Sequence, residues 1–144
     1  LIKNTFLNMG SLPNRVFQVG VGKGKFKVEA TCTLTRDGIL LAIFGGERPH
    51  IGAVALALPR PSLRNRKKTS ATTSILTVLG HKDDEIAKPA AELLAKKFKV
   101  PTVVVVGVHI DKATRQDVKT LFTNSMKAVS RIVNRLEYVR KSGV

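Results

Sequence analysis

Residues 25–35, KFKVEATCTLT, alternate polar and apolar side chains without interruption. Phe26, Val28, Ala30, Cys32 and Leu34 point one way; Lys25, Lys27, Glu29, Thr31, Thr33 and Thr35 point the other. That period predicts a strand packed on one face and wet on the other. A chain with such a strand must supply a sheet around it and a layer over its apolar face.

The neighbouring segments supply the sheet. Arg36-Asp37-Gly38 turns the chain into Ile39–Phe44, a hairpin, and Val16–Val21 precedes through Gly22-Lys23-Gly24. Ile51–Leu58 sets Val54, Leu56 and Leu58 against Ala53, Ala55 and Ala57, which suits a strand covered on both faces. Ser74–Leu79 reads as a further strand. Val103–Val106 is a continuous β-branched run, again the pattern of a strand buried on both faces.

Two helices supply the covering layer. The first is expected within Asp83–Phe98, capped by Asp83 or Asp84, with Ile86, Ala90, Leu93 and Leu94 as its apolar stripe. Pro89 predicts a kink or a later start. The second opens on Thr114 with Asp117 three residues on, a capping-box pattern. Val118, Leu121, Phe122, Val129, Ile132, Val133, Leu136 and Val139 then recur at helical spacing, with Lys119, Lys127, Arg131 and Arg135 opposite. The fold class is α+β: an antiparallel β-meander of about four strands followed by β-α-β-α, about six strands and two helices, the helices packed on the sheet. One domain is expected over 1–144, with 1–14 peripheral and 59–72 an exposed, mobile basic loop carrying Arg60, Arg64, Arg66, Lys67 and Lys68.

Composition narrows the partners. Twenty-five Lys and Arg against 10 Asp and Glu give a net charge of +15, which attracts nucleic acid, phosphorylated ligands, an acidic partner or a membrane surface. Six Phe, one Tyr and no Trp leave few rings for stacking bases, so a nucleic-acid contact through the basic loop is the lesser expectation. Apolar runs such as PTVVVVGV are too short to span a bilayer, and a membrane is not expected as a partner. The opening LIKNTFLNMGSLPN lacks a charged segment followed by a long apolar core, so no secretory signal is expected there. Cys32, the only cysteine, sits in a strand and reads as core filler in a reducing, cytoplasmic setting.

All three histidines lie near glycines where apolar runs end: GGERPHIG (45–52), GHKDDE (80–85) and GVHIDKAT (107–114). If the strands before His81 and His109 are parallel, both residues reach one edge of the sheet beside a helix start, where backbone N–H groups and the dipole favour an anion. The GGERPHIG loop also follows a strand and would add Arg48, a planar fork for phosphate or carboxylate. A metal is the alternative, since the histidines with Asp83, Asp84 or Asp111 offer ligands. No two histidines have i, i+4 spacing and the dense positive charge opposes a cation, so no metal ligands are assigned. A ring nitrogen capping a carbonyl would give each histidine a purely structural role. No Gly-x-Ser-x-Gly elbow is present, and no residue is assigned a catalytic role.

These three ordered motifs resemble the LpdD-like prenylated-flavin chaperones, the small accessory subunits of gallate-type decarboxylases, grouped with the proteasome-assembly-chaperone fold. The resemblance spans roughly residues 26–135. It implies a homodimer-forming α+β domain that handles prenylated flavin mononucleotide (prenylated FMN) or FMN for a decarboxylase partner. It further implies a flavin site with Gly45, Gly46, Arg48, Pro49, His50 and Gly52 as one wall. Gly80, His81, Lys82 and Asp83 would form a second, with Gly107, His109 and Asp111 a third. Asp111 stands where that pattern more often has Asn, and the 60–68 loop is longer than the pattern needs. The chain is therefore expected to be a non-enzymatic accessory protein. Alternatives are a proteasome-assembly-like protein chaperone and a basic nucleic-acid-binding domain, with direct histidine acid–base catalysis a minor fourth.

Overall fold

Strand β1 (Arg15–Val21), β2 (Val28–Leu34) and β3 (Ile39–Gly46) are followed by β4 (Ala53–Pro61), β5 (Thr69–Thr77), helix α1 (Asp84–Phe98), β6 (Thr102–His109) and helix α2 (Arg115–Ser142). This computed structural model describes residues 15–78, 80 and 82–143. The peripheral segment expected over 1–14, and His81, lie outside the described residues. The six strands form one sheet in the order β1-β2-β3-β6-β4-β5. Among the described residues, only β3 and β6 pair in parallel; the other pairings are antiparallel.

The α+β class is as the patterns predict, but the four-strand meander is not. Strands β1, β2 and β3 are consecutive neighbours, and β6 then inserts between β3 and β4. The β-branched run Thr102–Val106 forms a ladder on both edges, to β3 and to β4. It therefore fills the centre of the sheet.

One face of the sheet is buried under the helices. Val28, Ala30, Cys32 and Leu34 meet Leu41, Ile43, Val104, Val106, Ala53, Ala55 and Ala57 there, all 1% exposed or less. The small alanines of β4 let α1 approach closely through Ala87, Ala90, Ala91 and Ala95. Helix α2 lies over β1 and β2. Burial pushes the Cys32 thiol up to about 12, which makes it core filler with no thiolate at neutral pH.

Several strand boundaries differ from the sequence expectation. Strand β2 starts at Val28 because Gly24–Phe26 forms a 3-10 turn, the Lys27 N–H bonding Gly24 O at 3.1 Å. Helix α1 starts at Asp84 despite Pro89, whose missing N–H removes one bond about a turn and a half in. Within 59–72, only residues 62–68 lie outside strands. Pro59 and Pro61 fit in β4 because β6 pairs only as far as Ala57, so no second ladder needs their N–H groups. The hairpin loop is tied internally, with the Ser62 N–H on Lys68 O at 2.8 Å and the Lys67 N–H on Asn65 Oδ1 at 3.0 Å.

Strands β4 and β6 read as covered on both faces, yet the helices cover only one. The opposite face presents Leu40, Leu56, Leu58 and Leu76, from 39% to 75% exposed. The described chain has no second layer there.

Candidate functional site

Strand direction decides which loops can meet. Strands β5 and β6 both run antiparallel to β4, so they point the same way, and β3 runs parallel to β6. The β3–β4, β5–α1 and β6–α2 loops therefore emerge at one end of the sheet. Gly46 stands in register with His109, which places the GGERPHIG and GVHIDKAT segments side by side.

The β3–β4 loop is fastened to β6 by backbone and carboxylate bonds. The Glu47 and Arg48 N–H groups donate to His109 O at 2.7 and 3.3 Å, and the Gly52 N–H donates to Val106 O at 2.9 Å. Glu47 Oε2 accepts the Asp111 N–H at 2.9 Å. Arg48 Nε lies 3.3 Å from Asp111 Oδ2, and His109 Nε2 3.1 Å from Asp111 Oδ1. The His50 and His109 rings meet edge to face, their centroids 5.9 Å apart at 88°.

Asp83 joins the third loop to these two. It occupies the N-cap position of α1 but makes no side-chain cap bond. Its carboxylate turns inward instead, accepting the Val108 N–H at 3.1 Å and lying 3.2 Å from His50 Nε2. His50 Nδ1 is 3.1 Å from Arg48 O. With 5% of its side chain exposed, Asp83 is a buried carboxylate held by the Val108 N–H, with the His50 imidazole beside it.

The glycines permit this crowding. A Cβ on Gly52 would collide with the Asp83 carboxylate, and one on Gly107 with the His50 backbone carbonyl. Gly45 is packed against Lys27 O and Gly46 against His109.

A cavity of about 670 Å³ opens beside the cluster, between the start of α1 and the first turns of α2. Its lining is largely apolar and includes Ile86, Val108, Ile110 and Leu121. Among the described residues, no three His, Cys, Asp or Glu side chains are grouped as metal ligands.

Of the residues expected to form the site, Gly80, Lys82, Asp83 and His109 line this cavity. Arg48, His50 and Asp111 join Asp83 and His109 in the loop cluster, while Pro49 is exposed. Gly45, Gly46, Gly52 and Gly107 serve close packing, and Gly80 adopts φ +82 in the turn before α1. His81 is outside the described residues. Within the cluster, Asp111 pairs with Arg48, and Asp83 and Glu47 add further negative charge.

Sequence reasoning missed Glu47, whose signal was its place as the lone acid in GGERPHIG. It also put Val118 and Phe122 into the core stripe of α2, whereas they border the cavity at 57% and 39% exposure. Leu93 of α1 is likewise 40% exposed.

Comparisons with known proteins accord with this architecture. A family model for the prenylated flavin chaperone LpdD-like domain matches residues 22–137. No protein of curated function matches the sequence significantly. Among solved structures, the chain resembles one from the crystal structure of a novel chaperone complex for yeast 20S proteasome assembly. The TM-score is 0.56 at 14% identity, covering 88% of this chain and 98% of that one. At that identity the likeness concerns the fold.

Proposed function

The chain belongs to the prenylated flavin chaperone LpdD-like family, and from that premise we propose that it binds prenylated FMN, or FMN itself, and passes it to a partner decarboxylase without catalysing a reaction. The observation that carries this is the common end of the sheet, where two histidine loops lock together beside a cavity of about 670 Å³. That volume falls in the usual range for small-molecule sites, roughly 300–1,000 Å³. A flavin nucleotide joins an apolar ring to a phosphate, and an apolar cavity beside lysines suits both parts. His50 and Arg48 act mainly by fixing the loops, while Lys82 and His109 face the ligand. The test is to purify the protein from cells that make the prenylated flavin and record its absorbance. A colourless protein with no micromolar affinity for either flavin overturns the proposal.

The working form is a homodimer joined through the open sheet face. Register aligns Leu40, Val103 and Leu56 in one cross-strand row, and Ala42, Val105, Val54 and Leu76 in the next. An apolar face this continuous marks an interaction surface. The same face, on this fold, would also serve a protein-assembly chaperone. Capture of proteasome subunits by the wild type, undiminished in His50→Ala, would select that function instead.

A further inference from the structure

Helix α2 departs from its own amphipathic pattern over its first two turns. Val118 and Phe122 are apolar yet 57% and 39% exposed, and both border the cavity. A surface helix ordinarily turns its large apolar side chains into the core. These two instead flank an apolar floor left open.

The same cavity is bordered by Lys82, Lys112, Arg115 and Lys119. Among the described residues, none of the four forms an ion pair, whereas Lys25, Arg48 and Lys97 do. Among the described residues, Asp83 and Glu85 are the carboxylates lining the cavity, and Asp83 is already engaged by the Val108 N–H. The border therefore carries surplus positive charge, to which the positive end of α2 adds.

Lys112 supplies an independent sign. It adopts φ +50, a left-handed conformation that side chains with a Cβ disfavour. A lysine at a backbone position suited to glycine places a cation at the cavity in spite of local strain.

We propose that this groove seats the flavin, with the phosphate held by Lys112, Arg115 and Lys119 and the apolar ring laid against Val118 and Phe122. The assignment rests on the flavin-handling function proposed above and adds contacts from the β6–α2 loop and α2 to the Lys82 and His109 named there. The locked loop cluster then forms the back wall of the site.

Lys112→Gly separates binding from folding, because it removes the cation while relieving the backbone. FMN and riboflavin, which lacks the phosphate, are titrated by flavin fluorescence into wild type, Lys112→Gly, Arg115→Ala and Phe122→Ala. Loss of a charge-assisted phosphate contact is expected to weaken FMN about ten-fold in the first two variants. Riboflavin affinity should stay unchanged in those two, and Phe122→Ala should weaken both ligands. Lys112→Gly should melt no lower than wild type. FMN affinity unchanged across all three variants overturns the groove assignment and leaves the flavin function standing. Failure of the wild type to bind either flavin overturns both.

Discussion

Asp83 accepts the Val108 N–H and faces His50 with almost none of its side chain exposed, so its removal strands a buried donor. Asp83→Ala is expected to cost about 1–3 kcal/mol of stability. Asp83→Asn retains an oxygen for Val108 and should cost less. Urea unfolding of the two variants ranks them, and equal losses would mean that the hydrogen bond contributes little. Gly107→Ala tests the close approach to His50, with an expected loss of about 1–3 kcal/mol from overpacking. A wild-type midpoint for that variant would show that the His50 segment moves aside at no cost. The site was partly legible at this scale. Glycines beside histidines at strand ends did mark loops that meet. The role of Asp83 was not legible, because its position before α1 satisfies the local rule for a helix cap. Whether a carboxylate turns back to its helix or across to a strand 25 residues away depends on tertiary placement.

The start of α2 shows how a local signal survives folding. Thr114 Oγ1 accepts the Asp117 N–H at 3.1 Å, and Asp117 Oδ2 accepts the Thr114 N–H at 3.0 Å, completing the capping box read from Thr-x-x-Asp. Thr114→Ala is expected to lower stability by about 1 kcal/mol. The backbone hydrogen bond from Thr114, with further help from Lys25, holds the Asp117 carboxyl below the ordinary aspartate value of 3.8. A depressed carboxyl stabilises the fold above its unfolded value, and that contribution is lost as pH falls through its folded value. The stability gap between wild type and Asp117→Asn should therefore be constant from neutral pH to about pH 4–5 and close below 3.8. A gap that persists at pH 2 would assign the difference to packing. Where a signal depends on strand partners, the sequence is less direct. Residues 69–73 look like part of a polar loop until β4 pairs with them, and Lys25–Lys27 look like strand until the turn at Gly24 lifts them out of the ladder.

Across the whole molecule, the proposed dimer would cover the sheet face on which Leu40, Leu56, Leu58 and Leu76 are exposed. Leu56→Asp places a charge in the middle of the open face and is expected to convert a dimer to a monomer in size-exclusion chromatography with light scattering. A wild type that is already monomeric at micromolar concentration removes the dimer from the proposal. The basic β4–β5 hairpin tip lies at the end of the sheet opposite the cavity, since β4 runs away from the histidine loops. If that tip binds nucleic acid, retention on DNA should fall steeply with salt and vanish in a variant with Arg64, Arg66, Lys67 and Lys68 neutralised. Charge patterning marked the basic tip. It could not give the groove, because Val118 and Phe122 keep the helical spacing of core residues, and their exposure beside the cavity appears only in the folded arrangement. The place of β6 also governs how the chain can assemble during synthesis. Before Thr102–His109 is made, β3 and β4 each have one edge with no partner, and the gap between them spans two strand spacings, about 10 Å. Neither half can complete its sheet alone, so a nascent chain halted before Thr102 would present two adhesive edges to its neighbours until the keystone strand arrived.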